Sequence, residues 1–299
     1  MSPKTGTDNS GETVKSTMAW AVQFLAEKRA DAPRLTAELL LAYVLGWERI
    51  RVISHPEESL APAFVREFRH LVQRRALGEP LQYLTGEREF YGLSFHVTPA
   101  VLIPRPETEI LVEQAVESAH SLWKGGAISF VDVGTGSGCI AIAFAVNVPQ
   151  ARGWAVDLSA EALTVARSNA KRHDVAARVE LVRGDLLDWV APQRRFGLIL
   201  ANAPYVARRE ASALSAAVLD HEPGLALFGG ESGLEIYARL IPRAARCLSE
   251  GGRLLLEIGA GQADAVRSML GEAGLGVEQI AGDLQGIPRC IVAALEGEL

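Results

Sequence analysis

The stretch Phe196-Gly197-Leu198-Ile199-Leu200-Ala201-Asn202-Ala203-Pro204-Tyr205 decides how this chain is read. A short apolar run passes straight into Asn-x-Pro-Tyr, so a buried strand ends in a turn that presents an amide side chain and an aromatic ring. In open α/β sheets, ligands bind at the carboxyl ends of the strands. A second junction of this kind lies upstream, in Val131-Asp132-Val133-Gly134-Thr135-Gly136-Ser137-Gly138. Two strand-to-turn junctions then frame one ligand site.

Outward from these junctions, apolar strand-like and amphipathic helical segments alternate. Strands are expected over 128–133, 153–157, 179–183, 196–201, 252–258, 276–281 and 289–295. Helices are expected over 138–147, 160–173, 212–219, 232–249 and 262–272. Alternation at this spacing predicts a parallel sheet covered on both faces. The segment Asp283 to Pro288 is too short for a crossover helix, so the last two strands should pair antiparallel. The fold class is therefore α/β: a Rossmann-like, mostly parallel seven-stranded sheet with an antiparallel last strand, the layout of class I methyltransferases.

Before this domain, apolar residues recur at helical spacing over Thr13–Ala30, Leu35–Leu45 and Ala63–Leu77. Pro33 and Pro62 stand near helix starts, and Gly46 and Gly78 just past ends. Three or four helices form a small all-α N-terminal domain, residues 1–84, with the first dozen residues expected to be disordered. Two β-prone runs around Tyr91-Gly92 predict a linking β-hairpin over 85–105, and residues 106–299 form the larger domain. The segment Leu102-Ile103-Pro104-Arg105-Pro106-Glu107-Thr108-Glu109 reads two ways. It is the capped start of a helix, or a loop lying over a ligand.

Composition narrows the partners. The chain has 299 residues, 48% of them hydrophobic, and a formal net charge of -6. An acidic balance argues against stable nucleic-acid binding, which needs a basic face. Cys139, Cys247 and Cys290 are far apart in apolar company, as expected of buried hydrophobes in a reducing, cytoplasmic protein. No long apolar run or signal-like segment occurs, so no membrane is involved. The histidines have no metal-ligand spacing.

The chemistry follows from the turns. Gly134, Gly136 and Gly138 let the backbone turn tightly and approach a ligand at a helix N-terminus. The spacing is G-x-G-x-G; the dinucleotide pattern would need glycine where Cys139 stands. About 20 residues on, the next strand ends in Asp157, placed to accept from both ribose hydroxyls; the competing role, capping the following helix, suits Ser159 better. In Arg183-Gly184-Asp185-Leu186-Leu187, Asp185 is placed to accept from an adenine amino group while Leu186 lies on the ring, or the segment is an ordinary Gly-Asp turn. At the second junction, the Asn202 side-chain oxygen and the carbonyl of residue 203 can accept from the NH2 of a planar amide or amine. That fixes its nitrogen in line with a methyl donor, and Tyr205 offers a face for stacking.

Several further segments carry a family resemblance: Gly78-Glu79-Pro80-Leu81-Gln82-Tyr83-Leu84-Thr85-Gly86, Leu102–Glu109, Asp132–Gly138, Glu222-Pro223-Gly224-Leu225-Ala226-Leu227-Phe228-Gly229-Gly230, and Asp283–Arg289. Over about residues 15–295 the chain resembles the bacterial release-factor glutamine methyltransferases (the HemK family). The resemblance implies methylation, from S-adenosyl-L-methionine, of the glutamine side-chain amide in the Gly-Gly-Gln loop of class 1 peptide chain release factors. It implies cofactor contacts from Gly134, Thr135, Gly136, Ser137, Gly138, Asp157, Leu158, Asp185, Leu186 and Asn202. It implies substrate contacts from Asn202, Ala203, Pro204 and Tyr205, with Asn202, Pro204 and Tyr205 at the chemistry. A monomer is expected.

One departure stands out: the family has Asn-Pro-Pro-Tyr, and here the second position is Ala203. Only its carbonyl is needed, and Pro204 still biases residue 203 toward extended backbone. A change from proline costs about 0.4–1 kcal/mol, so weakened but present activity is expected. The rival readings are an adenine methyltransferase of nucleic acid, a glutamine methyltransferase of a ribosomal protein, and a cofactor-binding paralogue disabled at Ala203.

Overall fold

Proline and glycine punctuate the first part of the chain as they do on paper. The computed structural model describes residues 12–122 and 126–295 and divides into two compact units, Met1–Gly86 and Glu87–Leu299. Residues 1–11, expected to be disordered, lie outside the described residues. In the first unit, α1 (Val14–Glu27) opens on a capping box. The Ser16 amide donates to the Thr13 hydroxyl, and the Thr13 amide to the Ser16 hydroxyl. Helix α2 (Pro33–Leu45) starts on its proline and stops at Gly46, whose φ of 64° is left-handed. Helices α3 (Arg49–Ser54), α4 (Pro62–Ala76) and α5 (Leu81–Thr85) complete the unit. Leu25, Leu40, Leu41, Phe68 and Val72 form its own core.

The second unit begins with a hairpin, β1 (Glu87–Phe90) and β2 (Leu93–His96), turned at Tyr91-Gly92. The hairpin, expected as a linker over 85–105, packs within the second unit. Phe90 and Phe95 are buried in the same cluster as Leu111 and Phe130. The Asn169 side chain accepts from the His96 amide at 2.8 Å and donates to its carbonyl at 2.9 Å. A 3-10 turn, Pro106–Thr108, leads into α6 (Glu109–Leu122).

Then come β3 (Ile128–Val133), α7 (Cys139–Asn147), β4 (Ala151–Asp157), α8 (Ala160–Arg172), β5 (Val179–Arg183) and β6 (Phe196–Ala201). These are followed by β7 (Val206–Ala207), a 3-10 turn (Arg208–Ala213), α9 (Ala216–His221), α10 (Gly224–Leu227) and β8 (Phe228–Gly230). The chain continues with α11 (Glu235–Cys247), β9 (Leu248–Glu257), α12 (Ala263–Glu272), β10 (Leu275–Gly282) and β11 (Pro288–Leu295). The main sheet has the order β10-β11-β9-β6-β3-β4-β5, parallel except for β11, which runs antiparallel to both neighbours. Side chains alternate between two covered faces. Phe130, Leu198 and Leu200 point into one core with α7. Val131, Ile199 and Ala201 point into the other, with Leu240 and Ile241 of α11.

After β3 the chain goes first to β4 on one side and later to β6 on the other, so a crevice opens between the carboxyl ends of β3 and β6. Their register pairs Val133 with Ala201, which brings Gly134 and Asn202 side by side. The helix expected over 212–219 instead divides into the 3-10 turn and α9. Leu214 and Ser215 between them are extended, which ends one element before the next begins.

Candidate active site

The glycine turn is built on the backbone of β4. The amides of Gly134 and Thr135 both donate to the Val156 carbonyl at 2.9 Å, and Gly138 donates to Thr135 at 2.8 Å. Asp157 closes the turn: one carboxylate oxygen accepts from the Gly136 amide at 2.8 Å and the other from the Ser159 amide at 2.9 Å. Each oxygen keeps a further lone pair for a ligand. The helix cap falls to Ser159, whose hydroxyl accepts from the Ala162 amide at 3.1 Å. Beneath the turn, Asp132 is fully buried. It accepts from the Thr135 hydroxyl at 2.6 Å and the Ala141 amide at 3.2 Å, and its Oδ1 has no partner among the described residues. Burial pushes its pKa up to about 7, with the charge of Asp157 adding.

The second junction is held from four sides. Asn202 donates through Nδ2 to the Thr108 hydroxyl at 3.0 Å. Ala203 is 2% exposed and packs in the core with α11. The Phe228–Gly233 segment runs so close behind the turn that a Cβ on Gly229 would sit 2.3 Å from the Pro204 carbonyl oxygen. One on Gly233 would sit 2.3 Å from that of Tyr205. The Tyr205 hydroxyl donates to Glu257 Oε1 at 3.3 Å, and Gln262 donates to the Tyr205 carbonyl at 3.0 Å. Burial raises the Tyr205 pKa, and the Glu257 charge raises it further. Glu257 is 2% exposed, and burial pushes its own pKa up to about 7.

A cleft of about 280 Å³ joins the two junctions. Gly134 to Ser137, Asp157, Leu158, Asp185, Leu186, Asn202 and Pro204 all line it. Three residues expected at the ligand do not. Gly138 lies below, where any Cβ would meet Ile142 at 2.8 Å, so its lack of a side chain serves helix packing. Ala203 faces the core. Tyr205 is turned back to Glu257 and Gln262, so its ring stands behind the turn rather than on the cleft wall. Asp185 pairs with Arg239 at 2.5 Å, and Leu186 takes a left-handed φ of 52°, uncommon for a branched side chain.

Of the two readings of Leu102–Glu109, the structure supports both in part. Leu102, Pro104, Arg105 and Thr108 line the cleft, while Pro106 opens the 3-10 turn into α6. Arg105 reaches the buried Glu222 at 2.6 Å, and the Ile103 amide donates to the same carboxylate at 3.3 Å. Two sequence segments 117 residues apart are thereby clamped into one wall.

Residues 16–86 match the family model described as PrmC N-terminal domain, and residues 130–221 the one described as Methyltransferase domain. The release factor glutamine methyltransferase of Koribacter versatilis is 42% identical over 282 residues, covering 94% of this chain and 98% of its own length. That of Moorella thermoacetica is 44% identical over 284 residues, with the same coverage of 94% and 98%. This chain belongs to the release factor glutamine methyltransferase family. Solved structures add agreement in fold alone. A methyltransferase from Pyrococcus furiosus has a TM-score of 0.50 at 18% identity, over 74% of this chain and 96% of its own. The hMettl16 catalytic domain has a TM-score of 0.55 at 14% identity, over 77% and 83%.

For this family member, sequence reasoning missed Thr108, Glu222 and Glu257 as parts of the site. Each carried a signal. Glu257 is an acidic residue closing an apolar strand, as Asp132 nearly is. Thr108 and Glu222 lie inside the two most distinctive segments but were read there only as motif letters.

Proposed function

We propose that this protein methylates the side-chain amide nitrogen of the glutamine in the Gly-Gly-Gln loop of class 1 peptide chain release factors, with S-adenosylmethionine as donor. One observation carries the reading: Asn202 stands at the cleft beside the glycine turn with its Nδ2 bonded to Thr108, leaving Oδ1 free to accept from an incoming NH2. An amide nitrogen is a poor nucleophile because its lone pair is delocalised. Two acceptors would hold its hydrogens, fix its position and stabilise the positive charge that develops on it: Asn202 Oδ1 and the backbone carbonyl of Ala203, whose side chain alone is committed to the core. No side chain need act as a strong base, since the proton leaves to water after transfer.

The residues of the cleft suit the cofactor. Gly136 presents open space where a side chain would intrude, and the Asp157 oxygens keep free lone pairs for ribose hydroxyls. Bound there, S-adenosylmethionine supplies an electrophilic methyl on a sulfonium. Gly134 to Ser137 would lie along it, Asp157 would hold the ribose, and Leu158, Asp185 and Leu186 would flank the adenine. Pro204 would wall the acceptor side, while Tyr205 would act from behind by holding the turn.

The helical unit, residues 1–84 in the sequence reading, is assigned to recognition of the release factor. The protein would act as a monomer; three free cysteines accord with a reducing cytoplasm. The decisive experiment is transfer of labelled methyl from S-adenosylmethionine to a purified class 1 release factor, with the Gly-Gly-Gln glutamine changed to alanine as control. Label on the native factor alone is expected. Cofactor binding with no label on the factor would overturn the reading.

A further inference from the structure

A side-chain amide has two ends, and the chemistry above needs one of them. Asn202 must show its oxygen to the incoming NH2; turned by 180° it would set donor against donor. Thr108 is 2% exposed, and its hydroxyl receives Asn202 Nδ2 at 3.0 Å. A hydroxyl has one hydrogen and two lone pairs, so it could equally donate to Oδ1 and hold the amide the wrong way round. It accepts from Asn202 only when its own hydrogen has a better destination.

That destination is Glu257. The parallel register pairs Ala201 with Leu256, so Glu257 follows beside Asn202 at the strand ends, and Asn202 is bonded to Thr108. In keeping with this, the Thr108 hydroxyl lowers the Glu257 pKa against the effect of burial. Its Oε1 already accepts from Tyr205, and its Oε2 is buried with no well-formed hydrogen bond among the described residues. Donation from the Thr108 hydroxyl would satisfy that orphan oxygen. Donation then runs one way, from Asn202 to Thr108 to Glu257, and from Tyr205 to Glu257. Both ends of the Asn-Ala-Pro-Tyr turn converge on one buried carboxylate. The strand end that carries it is pinned by the Tyr237 hydroxyl, which donates to the Glu257 carbonyl at 2.7 Å.

We propose that Thr108 and Glu257 set the polarity of the Asn202 amide and are positioning residues for methyl transfer. This rests on the acceptor role given to Asn202 above.

The test is Thr108→Val, which keeps shape and loses the hydroxyl, beside Thr108→Ser and Glu257→Gln, measured with full-length enzyme and release factor. Thr108→Val should lower kcat ~10- to 100-fold while KM for the release factor and the Kd for S-adenosylmethionine stay within about twofold. Thr108→Ser should recover most of the loss. Glu257→Gln, whose NH2 would donate to Thr108, should lower kcat as Thr108→Val does. Without activity as readout, the Asn202 side-chain NH2 pair in 15N spectra should exchange slowly with water in the native protein and fast in Thr108→Val. A kcat within twofold of native in Thr108→Val overturns the proposal, as does equal loss in Thr108→Ser and Thr108→Val. Absence of label with native enzyme overturns the proposed function and this inference together.

Discussion

At Ala203 a missing ring is felt through the backbone. The side chain faces the core, at 2% exposed, so no contact with a ligand is lost by the absence of proline. What changes is how firmly the carbonyl is held. Restoring proline should raise kcat roughly two- to fivefold with KM little changed, because a stiffer unbound turn has less freedom to lose. Steady-state turnover of Ala203→Pro checks this.

The buried carboxyls impose a pH dependence whose sign is fixed. Burial raises the Glu257 pKa from 4.5 to about 7, and that of Asp132 from 3.8 to about 7. A raised carboxyl pKa contributes stability that is fully present below the unfolded value and lost as pH rises through the folded value. Unfolding free energy should therefore fall between pH 5 and pH 8. The shifts correspond to at most about 3 kcal/mol for Glu257 and about 4 kcal/mol for Asp132, and Glu257→Gln should flatten its share in guanidinium titrations at the two pH values. Turnover should move the other way, rising through the same range in the native enzyme and not in Glu257→Gln, because neutral Glu257 donates to Thr108 instead of accepting. Thr108, Tyr205, Glu107 and Arg289 act on this carboxyl, and its charge in turn raises the pKa of Tyr237, Cys139 and Cys290.

Among the elements, close approach of backbones gives the sharpest expectation. Gly229→Ala would drive a methyl to 2.3 Å from the Pro204 oxygen and displace the acceptor turn. It should cost roughly 1–3 kcal/mol of stability and most of the turnover. Gly271→Ala, within α12 and with open space around it, should stabilise by about 0.5–1 kcal/mol. Thermal unfolding of the pair separates the two effects. Legibility in the sequence follows length and period. The strands 128–133, 179–183 and 196–201 are readable to the residue because each β-prone run stops at a turn former, Gly134, Gly184 and Asn202. Helices α3 and α5, at 6 and 5 residues, are too short to show a period, and the two-residue β7 has none at all. The cleft's glycine turn and Asn202 were legible as motifs. The retreat of Tyr205 from the cleft was not, because it depends on Glu257 and Gln262, more than fifty residues away.

Across the whole molecule, two units with separate cores imply separable functions. The residues lining the cleft all belong to Glu87–Leu299, and the helical unit carries none of them. Deleting residues 1–84 should leave cofactor affinity intact and raise KM for intact release factor ~10-fold, a loss of about 1.4 kcal/mol. A folded truncate with unchanged KM would remove the helical unit from recognition.

The sheet order also has a consequence for synthesis on the ribosome. Strand β6, which carries the acceptor turn, lies between β3 and β9, and β9 is made about fifty residues later. Until it emerges, the nascent chain displays a strand with all six residues of buried type and one edge open. Synthesis therefore passes through a stage in which a strand bordering the cleft presents an open apolar edge. Translation pauses after β6 has emerged from the ribosome and before β9 has should be where a growing chain needs a holding chaperone, a vulnerability that site-specific crosslinking of arrested chains would map.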